Sequence, residues 1–160
     1  RRCPSSFFTK YMRLIIHTDG GARGNPGSAA VGVVIESEKT LIVEFGKRIG
    51  ETTNNVAEYT AVIEALHFVK NNPILKLSNY PIIQCYLDSN LVVQQLNGNF
   101  KVKDAKLREL MMQVKILEVE IGGMIFYQYI PREQNQRADF LVNQALDGTV
   151  MSSSLSNLRV

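Results

Sequence analysis

The sequence predicts an α/β domain of mixed α+β character, built on a five-stranded mixed sheet with helices on both faces. Three observations carry this. The 160 residues, 45% of them hydrophobic, suit one domain with a sizeable core. The first apolar runs are strand-length and are separated by tight polar or glycine-rich turns. From Asn55 onward helical stripes interleave with two further apolar runs, the pattern of strand–helix–strand units.

The elements follow in order. "RLIIHT" (13–18) is a short apolar strand, and "GGARGNPG" (20–27) reads as a glycine-rich turn. "SAAVGVVIE" (28–36) and "TLIVEFGKRI" (40–49) are two further strands joined by a polar turn, hence a hairpin. Tyr59, Val62, Ile63, Leu66 and Val69 then share one helical face, and Pro73 ends that helix. "PIIQCYL" (81–87) is a fourth strand and "NLVVQQL" (90–96) a short helix. Leu107, Leu110, Met111, Val114 and Leu117 stripe a longer helix. "GMIFYQYI" (123–130) is the fifth strand, and residues 134–146 form the last helix. Residues 12–147 make one domain, preceded by an appendage at 1–11 and followed by a Ser-rich tail at 148–160. Met12, at the head of the first strand, is the expected natural start.

Composition narrows the function. No apolar run approaches the roughly 18 residues a membrane span needs, and "RRCPSSFFTKYM" lacks a secretory cleavage pattern. The two cysteines, Cys3 and Cys85, show no metal-binding spacing, so a reduced, cytoplasmic protein is expected. A net charge of +3 and pI near 8.9 are compatible with nucleic acid without demanding it. The clearest basic stretch is "KVKDAKLRELMMQVK" (101–115), readable as a solvated helix face or a phosphate-tracking one.

Four carboxylates occupy special places. Asp19 follows the first strand at the lip of the glycine turn, where turn stabilisation is the ordinary role. Glu58 stands three residues after Asn55, as in a capping box. Yet it also borders the stripe begun by Tyr59, which would lay it over the sheet. Asp88 ends the fourth strand and is a candidate N-cap. A right-handed crossover would put that strand beside the first, bringing Asp88 to Asp19 at the carboxyl edge where α/β sheets bind ligands. Asp139 follows Ala138, the start of an apolar stripe with Leu141, Val142 and Ala145. Each ordinary role stands alone, but together they aim four acids at one sheet end. Like charges so gathered need a counter-charge. Oxygen ligands without a His or Cys cluster favour Mg²⁺, or Mn²⁺ in its place, over Zn²⁺. Two such ions roughly 4 Å apart are a known arrangement for displacement at phosphorus.

"TDGGARGNPG", "TTNNVAEY", "LDSNLVVQQLNG" and "IPREQNQRAD", in this order, resemble the signature segments of type 1 ribonuclease H. The resemblance spans about residues 13–146. It implies a ribonuclease H-like fold and cleavage of the RNA strand of RNA–DNA hybrids with two Mg²⁺, leaving 5′-phosphate and 3′-hydroxyl ends. It implies that Asp19 bridges both ions, that Asp139 completes the water-activating one, and that Glu58 and Asp88 complete the one at the departing 3′ oxygen. Gly20, Gly21, Asn25, Asn54, Asn55 and Asn90 match positions that hold the hybrid's sugars and phosphates. Such backbone contacts suit an enzyme that reads the 2′-hydroxyl and not base edges.

Two departures from the best-known bacterial pattern stand out. The only histidines, His17 and His67, lie outside the flexible loop where that pattern has one, and Arg132 occupies the comparable region. An arginine is no general base at neutral pH, but it can contact phosphate. This form resembles the branch found in archaea, some bacteria and plant or retroelement homologues, some of whose members also cut double-stranded RNA. The stretch after Asp88 is also too short for the basic protrusion of some members, and weaker or redistributed hybrid binding is expected. A catalytically silent hybrid-binding module, another acidic-quartet nuclease and a retroelement polyprotein domain stay open as alternatives. The expected state is a monomer with no obligate protein partner.

Overall fold

The computed structural model describes residues 12–38, 40–73, 81–148 and 153–154. The appendage expected at 1–11, and most of the tail expected at 148–160, lie outside the described residues. The strands are β1 (Arg13–Gly24), β2 (Gly27–Ser37), β3 (Thr40–Thr52), β4 (Ile82–Leu87), β5 (Met124–Tyr129) and a two-residue β6 (Ser153–Ser154). The helices are α1 (Asn54–Asn71), α2 (Asn90–Leu96), α3 (Ala105–Ile121) and α4 (Gln136–Leu146), with a 3₁₀ turn at Arg132–Gln134 just before α4. The sheet runs β5-β4-β1-β2-β3-β6. The β1–β2–β3 pairings are antiparallel and the β1–β4–β5 pairings parallel, so the five long strands form the mixed sheet expected.

The main difference from expectation is the length of β1. The segment expected as a glycine turn continues the strand, pairing Asp19 with Gly32 and running to Gly24 opposite Gly27. The turn itself is only Asn25 and Pro26. Small residues survive there because a helix packs directly on the backbone. A Cβ on Gly20 would lie 2.2 Å from the Ala57 carbonyl carbon of α1. The last helix also begins later than expected, at Gln136, because the backbone after Pro131 first makes the 3₁₀ turn.

One sheet face carries the main core. Leu14 and Ile16 of β1, Val33 and Ile35 of β2, and Ile83, Cys85 and Leu87 of β4 are buried beneath α1, α2 and α3. The Tyr59 hydroxyl donates to Gln95 Oε1 at 2.8 Å, tying α1 to α2 with a satisfied buried polar pair. On the other face, Ala30 packs with Val142, Ala145 and Leu146 of α4. That helix approaches so closely that a Cβ on Gly32 would lie 2.2 Å from the Ala138 carbonyl oxygen. The core thus locks α1 and α4 onto opposite faces of the same strand pair, β1 and β2. No described helix is long and apolar enough to cross a membrane.

Candidate active site

The site begins where two parallel strands part. β1 and β4 pair through Thr18 and Leu87, and the next residues along each are Asp19 and Asp88. β1 continues into its hairpin with β2, while the chain after Leu87 turns into α2. Ser89, not Asp88, caps that helix, its hydroxyl accepting from the Val92 amide at 3.4 Å. The Asp88 carboxylate is therefore not spent on capping.

Glu58 follows the same logic. The capping box expected on Asn55 is absent: Thr53 is the N-cap and accepts from the Val56 amide at 3.3 Å. With the helix starting at Asn54, Glu58 faces the sheet and is 8% exposed. Asp19 is 3% exposed. Ligand oxygens of Asp19, Glu58 and Asp88 all lie within 4.8 Å of one another. Asp139, in the first turn of α4, borders the same cleft and accepts from Arg132 at 3.1 Å. The cleft has a volume of about 500 Å³ and is lined also by Gly20, Gly21, Asn54, Asn55 and Ser89.

The electrostatics are those of an unneutralised cluster. Burial, reinforced by the charges of Asp88 and Asp139, pushes the Asp19 carboxyl up to about 7. Burial and then the neighbouring Asp19 and Asp88 hold Glu58 well above the ordinary carboxylate range. Asp88 is raised by burial, while a hydrogen bond from Asn135 and the Arg132 guanidinium pull it back. Glu58 Oε2 and Asp88 Oδ2 are buried without a hydrogen-bond partner. Buried acceptors of this kind normally find one. An all-oxygen donor set with unmet lone pairs and mutual repulsion fits a hard divalent cation.

A family model described as reverse transcriptase-like matches residues 17–145. The chain is 37% identical over 145 residues to the bifunctional protein Rv2228c of Mycobacterium tuberculosis, covering 89% of this chain and 38% of that one. It is 37% identical over 136 residues to ribonuclease HI of Halobacterium salinarum, covering 84% and 65%. LC11-RNase H1, from a compost metagenome and solved in complex with an RNA/DNA hybrid, superposes with a TM-score of 0.79 at 42% identity, covering 84% of this chain and 97% of that one. The chain belongs to the type 1 ribonuclease H family. It spans about two fifths of the mycobacterial protein and about two thirds of the halobacterial one.

Within this ribonuclease H domain the residues expected at the site divide into three groups. Asp19, Glu58, Asp88 and Asp139 converge, and Gly20, Gly21, Asn54, Asn55 and Arg132 line the same cleft. Asn25 stands just outside as scaffolding: its Oδ1 accepts from the Asn54 amide at 3.1 Å, and Asn54 Oδ1 accepts from the Ala22 amide at 2.8 Å. These bonds pin the β1–β2 turn to the start of α1 and leave both side-chain NH₂ groups unused by them. Asn90 is exposed, accepts from Gln94 at 3.2 Å and is not among the cleft residues. The sequence reading missed Ser89 and the buried Asn135, both of which touch the setting of Asp88. A hydroxyl just before a helix is a readable cap signal; nothing local marks Asn135.

Proposed function

We propose that this chain hydrolyses the RNA strand of RNA–DNA hybrids, using two Mg²⁺ held by Asp19, Glu58, Asp88 and Asp139. The observation that carries the proposal is the convergence of two buried carboxylates, Asp19 and Glu58, and the half-buried Asp88 within 4.8 Å, with buried oxygens left unpartnered. Family membership and the hybrid-bound LC11-RNase H1 support it. When bound, the ions would supply an activated water on one side of the phosphorus and charge stabilisation at the departing 3′ oxygen, giving 5′-phosphate and 3′-hydroxyl ends.

The chain's own residues do the rest. Asp19 lies within 4.8 Å of both Glu58 and Asp88 and would be the ligand shared by the two ions. Gly20 admits the α1 backbone, and Gly21, whose added Cβ would meet only Val142 at 3.4 Å, keeps the cleft wall low so that a sugar–phosphate backbone can approach. Asn54 and Asn55 offer side-chain amides at the rim. Arg132, whose side chain is 75% exposed, reaches the cleft from the far side and can pass from Asp139 to a phosphate. It cannot take a proton from water at neutral pH. A silent hybrid-binding module is disfavoured, since packed carboxylates repel phosphates and add nothing to affinity.

The test is Mg²⁺-dependent cleavage of an end-labelled hybrid blocked at both termini. A ladder of internal cuts, abolished in Asp19→Asn, is expected. Equal cutting by both proteins sinks the site assignment, and end-only products point to an exonuclease. Parallel reactions on duplex RNA, duplex DNA and a single-ribonucleotide duplex define the substrate range.

A further inference from the structure

Asn135 occupies the N-cap position of α4, where an asparagine ordinarily folds its side chain back onto the helix's first amides. Here it makes no side-chain cap hydrogen bond. Its side chain turns inward and is 1% exposed. The Nδ2 group donates to the Thr18 carbonyl at 2.9 Å, the residue before Asp19 and 117 positions away in the chain. The same side chain lies close enough to the Asp88 carboxylate to offset part of the upward push of burial on it. Its own carbonyl accepts from the Asp139 amide at 3.1 Å. One residue therefore bonds the end of β1 and the first turn of α4, and lies beside the carboxylate at the end of β4. It lines a second cavity, beside His17 and Arg137, and not the catalytic cleft, so it does not meet substrate. Its Oδ1 is buried with no partner. A local cap and a full set of hydrogen bonds have both been given up for this geometry.

We propose that Asn135 is a positioning residue for metal binding: it fixes the strand ends that carry Asp19 and Asp88 against the helix that carries Asp139. The inference rests on the metal-dependent reading above. Ligand-orienting partners of this kind typically change metal affinity about 10- to 100-fold when lost. Substrate grip should be untouched, because Asn135 lies behind the carboxylates.

The experiment measures Mg²⁺ and Mn²⁺ binding by calorimetry without nucleic acid, and KM and kcat for hybrid at rising metal. It compares wild type with Asn135→Leu, near-isosteric but without a donor, and Asn135→Ser, which cannot span both partners. Expected are metal-free melting close to wild type, metal affinity about 10- to 100-fold weaker, activity recovered by excess metal, and an unchanged KM for hybrid. Wild-type metal affinity in a folded variant overturns the inference while leaving the hydrolase reading intact. So does an activity loss that metal does not recover, or unfolding of both variants, which would make Asn135 a stability residue. Failure of wild type itself to bind metal or cut hybrid would instead overturn the hydrolase reading.

Discussion

Asp19→Asn should make the metal-free protein more stable while destroying its activity. In the fold, burial and two acidic neighbours push the Asp19 carboxyl up to about 7, against an ordinary value of 3.8. Between those values the folded chain holds a proton that the unfolded chain has released, so stability falls as pH rises through that window. The shift is about three units, and each is worth about 1.36 kcal/mol, so the full cost above the window reaches about 4 kcal/mol. Asparagine keeps the shape and the Gly20 contact but carries no charge. Urea unfolding in chelator near pH 8 should therefore find the variant about 2–4 kcal/mol more stable, a midpoint shift of about 1–2 M at ordinary slopes. Near pH 4 the two proteins should nearly coincide, because Asp19 is protonated in the fold. Saturating Mg²⁺ should narrow the gap near pH 8 by stabilising wild type alone. A variant less stable than wild type near pH 8, or a gap that ignores pH, would refute the picture of a repulsive cluster awaiting cations.

Other outcomes follow from the same structure. Asp139→Ala should lower hybrid cleavage on the order of 10²–10³-fold. Arg132→Ala, which removes an exposed charged contact, should cost about 10- to 100-fold and leave the metal half-saturation unchanged; equal small effects in steady-state assays would undo both assignments. Gly20→Ala should cost about 2–3 kcal/mol or more by forcing β1 off the Ala57 backbone, measured by urea unfolding, and a neutral change would deny that contact. In the basic stretch at 101–115, Lys106 and Lys115 already pair with Glu109 and Glu118. Hybrid affinity should therefore fall less steeply with salt than in protrusion-bearing relatives; a slope as steep as theirs would mean that those lysines track phosphates after all.

How much of this was legible in the sequence depends on how far each residue's partners lie along the chain. The sheet and its flanking helices follow from local periodicity, and Asp88 beside Asp19 follows from crossover handedness. The length of β1 does not. Gly20, Gly21 and Gly24 read locally as a turn, and only pairing with Ala30 and Gly27, with α1 pressed on Gly20, makes them strand. Asn55 looked like a cap because a carboxylate stood three residues on, but the helix starts at Asn54 and Thr53, two residues earlier, takes the task. Asn135 was invisible for a stronger reason: its decisive partner is Thr18, at the opposite end of the domain.

The three helix starts around the cleft share one design. Hydroxyl residues, Thr53 and Ser89, cap α1 and α2, so neither Glu58 nor Asp88 is consumed at a helix end. At α4 the cap position holds Asn135, whose side chain declines the cap and turns inward to the Thr18 carbonyl instead. A fold arranged only for stability would use such groups on its own amides, at about 1 kcal/mol each. Here they are kept available, and carboxylates that could have been neutralised locally are driven together in a buried space. The resulting repulsion is held in place by packing that the strands cannot escape, with β1 clamped between α1 and α4 through Gly20 and its neighbours. The free energy left unmet in the metal-free fold is the same free energy that cations would recover on binding. That makes tight packing behind the cleft as necessary to the site as the carboxylates themselves.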